Sequence, residues 1–108
     1  MIEDYLLNER YFFGKVPFPS VAYCEETYDP AHWWRGPTWM PVAWLMLETL
    51  ETYGYRKERA LAATRLYEIL KTDGALHELF DSRTGEGLGC AEQGWTAAIF
   101  IRLAYEAR

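Results

Sequence analysis

One apolar stripe constrains the fold of this chain more than any other feature. Trp39, Val42, Ala43, Met46, Leu50 and Tyr53 recur at spacings of three and four, the period of one face of an α-helix. Thr38 reads as the N-cap. That puts Pro41 at N3, where a missing N–H loses no intrahelical partner. Gly54 supplies the stop. A second helix is predicted from Arg56 to Thr72, with Ala60, Ala63, Tyr67 and Leu70 on one face and Asp73-Gly74 at its end. A connection of only a few residues makes the two an antiparallel hairpin.

The remainder is organised around that hairpin. Ile2, Tyr5, Leu6 and Phe12 fall at helical spacing, predicting a short N-terminal helix within Met1 to Phe13. Gly14, Pro17 and Pro19 then enforce an irregular path to about Asp29. The interval from Gly74 to Gly89 holds four glycines and reads as loop, with a short extended piece around Glu78. A last helix opens near Glu92 and runs to about Tyr105, with Trp95, Ala98, Ile99 and Leu103 inward. At 108 residues the chain, 1–108, is a single domain. The fold class is all-α, about four helices with long irregular connecting loops.

Bulk properties exclude several functions. A net charge of −5, with eleven scattered Lys and Arg residues, argues against nucleic acid. The longest apolar run, Trp39 to Leu47, contains Pro41 and is too short for a membrane span. No basic region leads an apolar one at the N-terminus, and Cys24 and Cys90 define no disulfide framework. A soluble, cytoplasmic protein is expected. His32 and His77 lack ligand spacing with each other or with the cysteines, so neither a metal nor another cofactor is expected. No phosphate-cradling glycine loop or serine-nucleophile elbow is present.

Two segments carry chemistry. Trp33 to Trp39, WWRGPTW, gathers three indoles and a guanidinium about a Gly-Pro turn. Indole faces stack on the C–H faces of sugars, and a planar guanidinium serves their hydroxyls. Trp34, Arg35 and Trp39 are therefore the candidate sugar contacts. The structural alternative is a buried aromatic corner with Arg35 paired to a carboxylate. Trp95 is a fourth member, though its spacing with Ala98 and Ile99 places it in the core. The second segment, LHELFDSRTGEGLG from Leu76 to Gly89, holds Glu78 between apolar neighbours. There a carboxylate can be both held and reachable, which makes Glu78 the candidate catalytic residue; the alternative is an exposed or salt-bridged loop glutamate. Asp81 reads as organiser of the turn through Thr84-Gly85.

These segments, in this order, resemble the C-terminal part of the α/α-toroid inverting glycoside hydrolases. The likeness is to the processing α-glucosidase and mannosylglycerate hydrolase type, and more distantly to trehalases. The matching motifs are Phe18-Pro19-Ser20, Trp33 to Trp39, Glu78 to Gly87 and Gln93 to Ala98, spanning about residues 10 to 104. Trp33 stands where the family usually has tyrosine, and Gln93 where it usually has an aromatic; both bear on a sugar subsite. The resemblance implies that the helices form part of an (α/α)6 toroid, and that Glu78 is the catalytic general base. It also implies an α-glucoside or α-mannoside as the carbohydrate bound. Inversion needs a second carboxyl group as acid, which the family takes from an earlier hairpin. Asp73, Asp81 and Glu86 do not match its motif. The isolated chain is therefore expected to be inactive and, with apolar flanks bared, to form a homo-oligomer. The rival reading is a non-catalytic helical module that binds carbohydrate or protein and self-associates.

Overall fold

The computed structural model describes all 108 residues. Three α-helices carry the fold: α1 (Met40–Thr52), α2 (Arg56–Asp73) and α3 (Gly94–Glu106). A three-stranded antiparallel sheet joins them, ordered β1 (Thr38–Trp39), β2 (Leu79–Phe80) and β3 (Gly87–Leu88). The helical expectation holds for α1, α2 and α3, and β2 falls in the short extended piece expected around Glu78, while β1, β3 and the sheet they complete are not anticipated. Two-residue strands are too short to leave a period-two signature.

The hairpin forms as its sequence dictates. After α1, Gly54 adopts φ +84°, and its N–H donates to the Glu51 carbonyl at 3.2 Å while Tyr55 N–H reaches Leu50 O at 2.8 Å. These are the two bonds of a Schellman turn, which satisfies the last carbonyls of a helix and reverses the chain. Gly74 ends α2 at φ +67° in the same left-handed region. The start of α1 differs from expectation. Trp39, not Thr38, is the N-cap residue, and Pro41 falls one place earlier. Thr38 is drawn out of the capping role: it pairs with Phe80 in the sheet, and its buried hydroxyl donates to Pro17 O at 3.0 Å.

α3 lies across both helices of the hairpin. The core gathers Met40, Ala43, Leu47 and Leu50 from α1 with Ala62, Leu66 and Leu70 from α2 and Ile99 and Leu103 from α3, closed by Phe13, Phe18 and Phe80. Truncating one such leucine to alanine costs about 2–5 kcal/mol. The buried stripes are rotated from those predicted. Leu47 replaces Tyr53, which is exposed; Ala62 and Leu66 are buried in α2, while Ala60 is exposed; Thr96 takes the inward position predicted for Trp95 and Ala98. On the Arg59 side chain, a 2.9 Å bond to Glu106 ties α2 to α3.

The N-terminal helix is reduced to one π-type turn, Ile2–Leu6. Beyond it, Val16-Pro17-Phe18-Pro19 is buried without regular structure. Buried backbone must still find partners. Here two prolines carry no N–H, Phe18 N–H donates to Phe12 O at 2.8 Å, and the Tyr23 hydroxyl donates to Val16 O. That segment seats the turn bearing the tryptophans: Ser20 N–H donates to Pro37 O at 3.0 Å.

Candidate functional site

The sheet brings the two chemistry-bearing segments together. β1 is the end of WWRGPTW, and β2 begins one residue after Glu78. Their register pairs Trp39 with Leu79 and Thr38 with Phe80. Segments forty residues apart in sequence thus lie side by side, at the end of the hairpin where α1 begins.

Trp39 is the buried anchor of an indole cluster, 6% exposed. Trp34 stacks on it with ring centroids 4.1 Å apart and planes 4° from parallel; Trp33 lies at 5.8 Å, and Trp95 meets it edge-on at 6.5 Å. The Trp39 Nε1–H donates to Trp33 O at 3.0 Å, which satisfies the one polar atom of a buried indole. Trp34 is 58% exposed and Trp95 45%, so Trp95 is a surface group rather than the core residue its spacing suggests. Arg35 is exposed; its Nε donates to Thr27 O at 3.3 Å, and it pairs with no carboxylate. The turn Trp33–Arg35 sits tight on the chain behind it. Asp29 N–H donates to Arg35 O at 2.8 Å, and a Cβ on Gly36 would collide with the Asp29 carbonyl.

Glu78 is half-buried and bridged to the far side of its loop. Its N–H donates to Cys90 O at 2.8 Å, and its Oε2 accepts from Cys90 N–H at 3.3 Å. Gly89 makes this possible: it adopts φ +71°, and a Cβ there would lie 2.7 Å from Leu79 Cδ2 and 3.2 Å from Glu78 Cδ. The turn between β2 and β3 is built by Asp81, as expected. Its Oδ1 accepts from Arg83 N–H at 2.8 Å and Thr84 N–H at 3.0 Å.

The sequence reading misses how the residues around Glu78 are held. Asp73, at the end of α2, turns a buried carboxylate on His77. Oδ1 meets His77 Nδ1 at 2.5 Å, while Oδ2 accepts the N–H groups of Ala75 and His77. Thr96, fully buried in the first turn of α3, donates its hydroxyl to His77 O at 2.8 Å. Glu92 and Gln93 N–H groups close on Ala75 and Leu76 carbonyls. The available signal was the threonine within GWTAA: a polar residue among small apolar ones at a helix start. No three His, Cys, Asp or Glu side chains converge as metal ligands; Cys24 and Cys90 are both exposed and unpaired. No helix is long and apolar enough to cross a membrane.

The helical hairpin brings an indole-rich segment beside a glutamate-bearing loop, and comparison with known proteins places a chain of this kind among the glycoside hydrolases. The profile of the mannosylglycerate hydrolase MGH1-like glycoside hydrolase domain matches residues 2–96; the chain belongs to that family. It is 30% identical over 91 residues to the mannosylglycerate hydrolase of Rubrobacter radiotolerans, covering 84% of this chain and 20% of that protein. It is 33% identical over 84 residues to the glucosylglycerate hydrolase of Mycolicibacterium hassiacum, covering 77% and 18%. The crystal structure of the GH63 mannosylglycerate hydrolase from Thermus thermophilus in complex with Tris and D-glycerate superposes with a TM-score of 0.76. That match has 27% identity and covers 91% of this chain and 22% of the other. The chain thus spans about a fifth of the length of the curated relatives it matches.

Proposed function

We propose that this chain is the general-base portion of an inverting α-glycosidase acting on a mannosyl or glucosyl glycoside of glycerate, and that its helices form part of an (α/α)6 toroid. Glu78 is the general base that takes a proton from water. Trp34, Arg35, Trp39 and Trp95 form the sugar-contacting set. The observation that carries this reading is the Trp39–Leu79 pairing, which brings the indole platform beside the glutamate loop. The names of the relatives supply the substrate class.

The neighbouring carboxylates support the expectation that the chain alone is inactive. Both Asp73 oxygens are engaged by His77 and backbone N–H groups, and Asp81 is engaged in its turn. Neither is free to protonate a leaving oxygen; Glu86 is exposed in the turn between β2 and β3 and does not match the family's acid motif, so this reading takes the acid from residues outside this segment. The rival reading, a non-catalytic module that binds carbohydrate or protein, has one observation in its favour. Total accessible surface is 6387 Å², close to the roughly 6,200 Å² expected of an ordinary compact monomer of this mass.

The test is a chimera in which this chain replaces the matching segment of the Thermus thermophilus enzyme. Glu78→Gln should cut its turnover at least about a hundredfold and leave ligand binding nearly unchanged, because the amide keeps shape but cannot accept the proton. Turnover near that of the parent chimera would remove the assignment.

A further inference from the structure

We propose that Asp73 and His77 form a positioning latch that fixes the backbone carrying Glu78, with Thr96 as its third anchor. The inference rests on the reading of Glu78 as the base. Three separate bonds converge on the residue immediately before it. His77 N–H and ring Nδ1 are both held by the Asp73 carboxylate, and His77 O accepts from the Thr96 hydroxyl at 2.8 Å. One residue further on, Glu78 N–H is tied to Cys90 O. The peptide leading into Glu78 is thereby clamped between the end of α2 and the start of α3, two helices whose buried residues belong to the core.

Sterics and burial point the same way. The Asp73 side chain is only 4% exposed and the His77 side chain 26%, so the carboxylate is shielded from competing water while the imidazole is partly exposed. A Cβ on Gly87 would collide with both His77 Nδ1 and Asp73 Oδ1; glycine in β3 is what leaves the latch its space. The clamped segment also carries strain. Leu76 holds φ +55° and Glu92 φ +59°, conformations that disfavour any residue with a Cβ. Such geometry persists only where the surroundings over-determine it, and the bonds between residues 75–78 and 90–96 supply that determination. A carboxylate that must meet one water at one angle needs its main chain held in this way. The latch acts through Glu78 and touches no substrate.

Amide hydrogen exchange on the full chain reads the latch directly, at Glu78 and Cys90, whose N–H groups close the loop. His77→Ala should speed exchange at both by about tenfold or more relative to the interior of α1, the signature of local rather than global opening. His77→Asn places an amide donor near the position of Nδ1 and should restore most of the protection. A purely structural histidine would instead lower protection everywhere by one factor, and that result, or no change, overturns the proposal. A second measurement needs no variant. In the wild type, long-range ¹H–¹⁵N spectra should place a slowly exchanging proton on His77 Nδ1; an unprotonated Nδ1 facing Asp73 also overturns it. Neither readout involves hydrolysis, so loss of the latch is distinguishable from loss of the general-base assignment, which the Glu78→Gln chimera tests alone.

Discussion

Thr96→Val isolates one hydrogen bond at the centre of this arrangement. Thr96 is fully buried, and its hydroxyl donates to His77 O at 2.8 Å. Valine matches threonine in shape and opens no cavity, and the two have similar helix propensity. What remains is the removal of one buried donor from its acceptor, which costs about 1–3 kcal/mol. Unfolding entropy of about 2.1 cal/mol/K per residue, over 108 residues, amounts to roughly 0.23 kcal/mol/K. A loss of about 2 kcal/mol therefore lowers Tm by about 9 °C. Thermal melts followed by far-UV circular dichroism, with urea titrations to confirm an unchanged slope, measure it. Thr96→Ser separates the hydroxyl from the methyl and should keep the larger part of the stability. A valine variant that melts with the wild type, or a serine variant that falls as far as valine, refutes the bond as the source.

Gly36→Ala forces a Cβ into the Asp29 carbonyl, so it should destabilise by about 1–3 kcal/mol and change the near-ultraviolet dichroism of the stacked tryptophans; an unchanged spectrum would count against the tight seat of that turn. Burial of the Tyr23 phenol pushes its pKa up to about 12. Because the folded value lies above the ordinary value near 10, stability is fully present below about pH 10 and falls as pH rises through about 12. Tyr23→Phe should flatten that alkaline decline in urea midpoints. Leu45 and Ile101, 60% and 71% exposed, should drive concentration-dependent association in light scattering, which glutamate at either position abolishes; a strict monomer at high concentration removes that expectation.

The hairpin is legible in the sequence because two independent signals agree: helical periodicity and a connection too short for anything but reversal. Which stripe faces inward is not. Trp44, Leu45, Met46 and Leu47 are consecutive apolar residues, so α1 offers apolar groups on more than one face. The period is then right while the phase is undetermined. In α2 the reading places Leu70 inward correctly but sets Ala60, Ala63 and Tyr67 beside it; Leu66 buries more area than the alanines and, with Leu70, settles the rotation. Propensity likewise points to Thr38 as the cap, and tertiary pairing with Phe80 overrides it.

The site divides along the same line between local and non-local information. Indoles about a Gly-Pro turn and a glutamate among apolar neighbours are visible residue by residue. Their pairing across forty residues is not, because no local pattern records which two-residue strands meet. The glycine-rich interval from 74 to 89 is the instructive case. Composition reads it as loop, and most of it is. Yet a Cβ on Gly87 would strike His77 and Asp73, and one on Gly89 would strike Leu79 and press on Glu78. Two of the glycines that suggest flexibility are therefore there for the opposite purpose. They are absent side chains whose space is filled by the groups that hold Glu78 in place, so replacing either should disturb the glutamate more than the loop.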